Sequence, residues 1–187
     1  MMPADHVIRP DAVFQEAIRL AVDLVECRPE RIVTFGIKPT YPAEIFGYIE
    51  RGEPLDSPQV FHVTRFREKP DSDTAQHYVS SGKFYWNSGI FVWRAATIME
   101  ALARHQPELY EHLQRIDSAW GSPDFDATLE REFTAIKGIS IDYAVMEHAR
   151  EVVVVQAPFE WDDVGSWQSL SRLKGVDEAG NTCVGKH

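Results

Sequence analysis

Glycine-rich phosphate loops are absent from this 187-residue chain. No GxGxxG and no GxxxxGKS or GxxxxGKT run occurs, so neither of the turns whose backbone amides cradle a nucleotide phosphate is encoded in it. Cysteine is scarce. Cys27 and Cys183 are the only two, with no CxxC spacing and no neighbouring histidine pattern, which argues against a zinc site and fits free thiols in a reducing compartment. Positive charge is also short: 19 lysines and arginines face 29 aspartates and glutamates, for a net charge of −10. A duplex needs a basic footprint, so nucleic-acid binding is disfavoured, while a few local cations suffice for a small anionic substrate. No apolar run approaches the roughly 18 residues of a membrane-spanning helix. The opening MMPADHVIRP lacks the apolar core of a secretory leader. The expectation is a cytoplasmic protein with no membrane partner.

What is present is an ordinary globular composition, 44% hydrophobic and 26% charged, in a chain long enough for one domain with its own core. Pro10 and Asp11 open a helical pattern in which Phe14, Ala17, Ile18, Ala21, Val22 and Val25 recur at helix spacing. Arg31 to Gly36 follows as a short β-branched run ended by glycine, and a helix followed by a buried strand predicts α/β layering. Residues 38–45 hold two prolines and read as an ordered loop. Gly47 to Gly52 reads as a strand end and turn, and Val60 to Phe66 as a second strand. A helix over Ser72 to Ser81 stops at Gly82. Ile90 to Trp93 reads as a buried strand, and two helices fill Ala95 to Ile116, divided near Pro107. Ser140 caps a helix carrying Ile141, Val145 and Met146. Val152 to Val155, four valines in a row, is the clearest buried strand. Ser166 starts a last helix running to about Lys174. No strand is expected ahead of the first helix.

Four segments concentrate chemistry: PADH (3–6), FREKP (66–70), WNSG (86–89) and WDDVGSW (161–167). Asp162 and Asp163 follow a strand and precede a helix. A carboxylate there could hold a hard cation such as Mg²⁺, or both could serve the N-terminus of the last helix. Glu68 and Lys69 stand back to back at a strand end. Pro70 biases Lys69 toward an extended backbone, which would point the two side chains to opposite faces, one toward sugar hydroxyls and one toward a phosphate, unless they are simply an exposed pair in a turn. Asn87 lies among aromatics and suits hydroxyls that both donate and accept, although Asn-Ser-Gly is also a turn sequence. Asp5-His6 reads equally as a frayed terminus or half of a metal site. Asp142 and Glu147 are expected to serve the first turn and exposed face of their helix.

Taken together and in order, PADHVI (3–8), VTFGIKPTYP (33–42), GYI (47–49), FREKPD (66–71), WNSGIFVW (86–93), SIDYAVME (140–147) and WDDVGSW (161–167) resemble bacterial mannose-1-phosphate guanylyltransferases, the GDP-mannose pyrophosphorylases. The resemblance runs along nearly the whole chain. It implies an α/β fold of the nucleotide-diphospho-sugar transferase type: an α/β/α sandwich with a mixed sheet, here without the N-terminal nucleotide-binding strands. Residues 1–175 would be a partial, sugar-phosphate-binding domain, and 176–187 a tail leading toward a further domain. The implied reaction joins GTP and mannose 1-phosphate into GDP-mannose and pyrophosphate. By motif position, Asp5 and Asp163 would hold Mg²⁺, Lys69 would face the sugar phosphate, Glu68 and Asn87 would take mannose hydroxyls, and Gly47 would offer backbone where a side chain would clash. Where the family reads approximately ETGY before GYI, this chain has Ala43-Glu44-Ile45-Phe46. The alternatives are a non-catalytic sugar-phosphate-binding or regulatory module, or a nucleotidyltransferase for another hexose 1-phosphate.

Missing strands would leave open sheet edges, so pairing with a second copy or aggregation is expected. With no loop to cradle a triphosphate, the 187-residue chain is expected to be inactive alone. An assay with GTP, mannose 1-phosphate and Mg²⁺ checks this, and clear GDP-mannose formation would refute it.

Overall fold

The computed structural model describes residues 1–55, 57–183 and 185. Seven strands and six helices follow one another: β1 (Val7–Arg9), α1 (Asp11–Cys27), β2 (Ile32–Ile37), β3 (Tyr48–Pro54), β4 (Val60–Arg67), α2 (Ser72–Ser81), β5 (Phe84–Val92), α3 (Ala95–His105), α4 (Pro107–Ser118), α5 (Phe125–Ala135), a π-helical turn (Asp142–Met146), β6 (Val152–Gln156), β7 (Glu160–Asp162) and α6 (Trp167–Lys174). The expected α/β fold with a mixed sheet is the one observed. β2 runs parallel to β6, and the other ladders are antiparallel. Of the tail expected at 176–187, residues 184, 186 and 187 lie outside the described residues.

Alternation along the central strands builds two cores. Val33 and Phe35 of β2 and Val153 and Val155 of β6 pack against Ala17, Ala21 and Val25 of α1. Their neighbours Ile32, Val152 and Val154 face the other way, onto Phe91, Val145 and Met146, with Ile98 and Leu102 of α3 alongside. Helical cover on both faces is why the valine run is apolar without interruption. A third cluster joins α2 to the sheet through Tyr48, Tyr78, Phe84 and Trp86, with Ala43 and Phe46 completing it.

Four expectations need correction. A strand does precede α1: β1 pairs with β7, Val7 opposite Asp162 and Arg9 opposite Glu160. Its partner lies at the far end of the chain, and three residues are too few to show a period. The strand expected at 90–93 is the second half of β5, which begins at Phe84. The helix expected after Ser140 is a π-helical turn, with the Glu147 amide donating to the Asp142 carbonyl at 3.0 Å. The open edges expected of the main sheet are not found among the described residues. The start of β4 pairs with β6 and its end with β3, so the ladder order β2-β5-β3-β4-β6 closes on itself.

The sequence also hides α5. Its buried residue is Glu132, at 6% exposure, while Phe133 is 68% exposed. The Glu132 carboxylate meets His112 Nδ1 at 2.8 Å, Arg131 Nε at 2.9 Å and Arg115 Nη1 at 3.2 Å. A helix docked by a charge cluster carries no inward apolar stripe for periodicity to find. The His112 contact, with the two arginines, lowers the Glu132 carboxyl from its ordinary 4.5 to about 2. The stability this cluster contributes is therefore present above the ordinary carboxylate range and declines as pH falls toward 2. Among the described residues no helix is long and apolar enough to cross a membrane, and both cysteines are free and exposed.

Gly36 permits the closest strand packing. A Cβ there would sit 2.7 Å from Tyr85 Cβ and 2.7 Å from Val154 Cγ2. Gly36→Ala is expected to destabilise the fold by about 1–3 kcal/mol through overpacking, read as a lowered thermal midpoint.

Candidate functional site

Strand register assembles the first half of the site. Tyr48 pairs with Arg67 on one side and Trp86 on the other. One step further along, Gly47 therefore lies between Glu68 and Asn87. The Asn87 amide donates to the Gly47 carbonyl at 2.8 Å. A Cβ on Gly47 would lie 2.6 Å from Glu68 Oε2 and 3.4 Å from Asn87 Cβ, so only glycine leaves the Glu68 carboxylate where it stands. Next to Gly47 the Phe46 ring packs on Trp86 and Trp161 with centroids 5.0 and 5.3 Å apart.

Lys69 departs from its sequence reading. Its φ is +43°, a left-handed backbone despite Pro70, and its ammonium lies 3.5 Å from Glu68 Oε1. The extended backbone with side chains on opposite faces is not observed: the turn swings Lys69 back over Glu68. A non-glycine residue at positive φ is strained and persists where its surroundings hold it, often at functional sites.

Asn87 sits where β5 breaks its ladder with β2. Thr34 pairs with Phe91 and Gly36 with Asn87, so β5 carries extra residues between the two pairs. Gly89, at φ +70°, forms that bulge, and its amide donates to Asn87 Oδ1 at 3.1 Å. The turn reading of WNSG is thus met, and the bulge re-aims the asparagine. Asn87 Nδ2 then donates to Asp142 Oδ1 at 3.1 Å. Asp142 is a correction, since its carboxylate faces the sheet and not the solvent side of a helix. Val145 and Met146, buried against the sheet, turn it inward. A half-buried partner for Asn87, distant in sequence, has no signal in local spacing, which is why the sequence hides it.

The carboxylates here hold their protons more tightly than usual. Glu68 is raised above its ordinary 4.5, first by burial and then by the Asp142 charge, against the pull of Lys69. Burial likewise raises Asp142, against the hydrogen bond from Asn87.

The β1–β7 ribbon assembles the second half. Asp5 and Asp163 lie just beyond the same end of that ladder, where Val7 meets Asp162. His6 locks the approach: its Nδ1 accepts from Trp161 Nε1 at 3.0 Å, and the rings meet edge-on. Gly89 faces Pro3 and His6, which joins this half to the Asn87 bulge. The two neighbouring aspartates divide. Asp162 accepts from Arg172 Nε at 2.9 Å and from the Val164 amide at 2.8 Å. Partial burial raises it, but those partners outweigh burial and hold it below the usual carboxylate range. Among the described residues Asp163 accepts only from the Gly165 amide, at 3.2 Å. Neither caps α6, whose N-cap residue is Ser166 without a side-chain cap bond, so the helix-dipole reading of the pair is not met. Val164, which follows the pair, is at φ +52°.

Lys69 pairs with Glu68 and makes no ion pair with either metal-ligand candidate among the described residues. A cavity of about 170 Å³ lies on the ribbon side, lined among others by Tyr41, Phe46, Trp86, Trp161 and Asp163. Another of about 540 Å³, between α4 and α5, contains none of the predicted residues.

The chain belongs to the nucleotidyl transferase family, whose model matches residues 1–179. It is 41% identical over 190 residues to the mannose-1-phosphate guanylyltransferase of Escherichia coli, covering 99% of this chain and 39% of that protein. It is 44% identical over 185 residues to the xanthan biosynthesis protein XanB of Xanthomonas campestris, covering 97% of this chain and 38% of that protein. A solved structure of a mannose-1-phosphate geranyltransferase from Thermus thermophilus superposes with a TM-score of 0.81 at 35% identity, over 94% of this chain and 49% of that one. The chain thus spans about two fifths of the length of these curated relatives.

The Glu68 carboxyl is expected to titrate above 4.5 and to move down in Asp142→Asn, where the neighbouring charge is gone. Carboxyl ¹³C chemical shifts across a pH series measure both.

Proposed function

We propose that the chain is the sugar-phosphate-binding portion of a nucleotidyltransferase that forms GDP-mannose and pyrophosphate from GTP and mannose 1-phosphate. The observation that carries this reading is the convergence of Gly47, Glu68, Lys69 and Asn87 on one side of the sheet end. A hexose 1-phosphate needs such a set: acceptors and donors for its hydroxyls, a gap beside the ring, and a cation for its phosphate. The names of the relatives support mannose as the sugar.

In the proposed reaction a phosphate oxygen of mannose 1-phosphate attacks the α-phosphorus of GTP. The new P–O bond forms as the α–β bridge breaks, and pyrophosphate leaves with that electron pair. No covalent enzyme intermediate forms, so positioning and charge neutralisation carry the catalysis. Glu68 and Asn87 hold the ring hydroxyls, Gly47 admits the ring, and Lys69 neutralises and orients the attacking phosphate.

Asp5 and Asp163 are the residues that would hold Mg²⁺. They offer oxygen donors only, Asp163 is not committed to a cation as Asp162 is, and no group of three or more ligating side chains forms among the described residues. That donor set fits an ion which takes one or two carboxylates and completes its shell with water and substrate phosphate. When bound, Mg²⁺ supplies charge neutralisation at the phosphate oxygens.

Titration calorimetry with mannose 1-phosphate tests the reading. Lys69→Ala is expected to weaken binding about tenfold. Asp163→Asn is expected to abolish the gain in affinity given by Mg²⁺ while leaving the Mg²⁺-free affinity unchanged. Absence of mannose 1-phosphate binding by the unaltered chain would end the proposal.

A further inference from the structure

We infer that the outer face of α5 is a self-association surface. A second copy of this chain docks there antiparallel, and Phe133 of each copy enters a hollow of about 390 Å³ that Trp120, Pro123 and Phe125 line on the other. The surface is a helix face, not an edge of the main sheet, and the inference is independent of the sugar-phosphate reading.

The argument begins with the inversion of α5. A surface helix ordinarily turns its apolar stripe inward. Phe125, Leu129 and Phe133 recur every four residues and so share one stripe. Yet the buried residue is Glu132, held by His112, Arg115 and Arg131. Docking through that charge cluster rolls the stripe outward along its length. Phe125 is half-buried, Leu129 is 36% exposed and Phe133 is 68% exposed. Just ahead of the helix, Trp120 is 75% exposed and meets the Phe125 ring edge-on, with centroids 4.9 Å apart. Apolar side chains exposed singly need no explanation, but a grouped set marks an interaction surface. Tryptophan is among the residues that most often anchor one.

Shape and charge on this face both match their own reversal. Phe133 projects one turn beyond Leu129, and the hollow at Phe125 lies one turn before it, about 12 Å away along the axis. Two copies of α5 laid antiparallel about Leu129 therefore place Phe133 opposite the partner's Phe125. The same rotation places the partner's Phe133 opposite Phe125 of the first copy. Each projection meets a hollow and the contact closes at two, as an isologous interface requires. Asp124 and Asp126 are exposed at the start of the helix and Lys137 is exposed just past its end. Reversal brings each lysine toward the acidic end of its partner and sets the two helix dipoles in opposition. A lipid surface fits less well, because Asp124, Asp126 and Glu130 flank the stripe where a membrane-binding helix carries lysine and arginine. A fully buried aromatic side chain covers about 150–250 Å², so so few of them fall short of the roughly 1,600 Å² of a standard interface. The dimer is therefore weak and depends on concentration.

Sedimentation velocity between about 1 μM and 1 mM spans weak association. The unaltered chain is expected to pass from monomer to dimer within that range. Phe133→Glu removes the projection and Trp120→Ala opens the hollow, and each is expected to weaken the dimer about tenfold or more. Both side chains stand in solvent, so the thermal midpoints are expected to be unchanged, which a melting curve checks. Mixing the two variants tests the register. Either variant alone damages both halves of the two-fold contact. The mixed pair keeps one half with an intact Phe133 and an intact hollow, so the mixture is expected to associate more tightly than either variant alone. An unaltered chain that stays monomeric to about 1 mM overturns the inference and leaves the stripe to a membrane or to a further length of chain. A dimer that Phe133→Glu weakens by less than about twofold overturns it too, as does a mixture no tighter than its components.

Discussion

The Asn87 side chain is set by the place where β5 abandons its regular ladder with β2, between Asn87 and Phe91, while its backbone N–H still bonds the Gly47 carbonyl. The left-handed Gly89 makes that break, and the Asn87 oxygen holds it shut through the Gly89 amide. A regular strand would send this side chain straight out from the pleat. The bulge instead turns the amide along the sheet and opens a shelf on which Pro3 and His6 rest. One local irregularity thereby sets the orientation of the polar cluster and the approach of the N-terminal segment.

The rest of the architecture serves to keep that shelf rigid. Tight packing at Gly36 brings β2, β5 and β6 close together. The valines of β6 anchor α1 beneath and the π-helical turn above. Closure of the ladder through β4 holds the end of that strand, and with it Glu68, in fixed register with Gly47. The site therefore rests on backbone pairing at the ends of three strands, where positional precision is highest. Lys69, at 62% exposure, is the member with most freedom, as suits a group that meets a charge rather than a shape.

Much of this was legible from residue types. The long helix α1 and the β6 valines have periods too strong to misread, and the motif order pointed to Gly47, Glu68 and Asn87, which lie together. Legibility failed wherever a distant partner decided the outcome. β1 and β7 have three residues each and exist only as a pair. α5 faces inward with Glu132, a residue that sequence patterns assign to solvent. The conformation of Lys69 runs against the preference imposed by Pro70 and is held by surrounding structure. Asp142 looked like a helix-start acid because its partner, Asn87, is distant in sequence. The two aspartates of WDDVGSW look equivalent in sequence, and Arg172 alone tells them apart.

The β1–β7 pairing has a bearing on how the chain acquires its shape. The first strand finds its partner among residues 160–162, and β2 takes its parallel neighbour from residues 152–156. During synthesis β1 must wait, unpaired, until residues 160–162 have been made. Loops that long are slow to close. Asp5 and Asp163 flank that pairing, so they reach the same end of the ribbon only once it has formed.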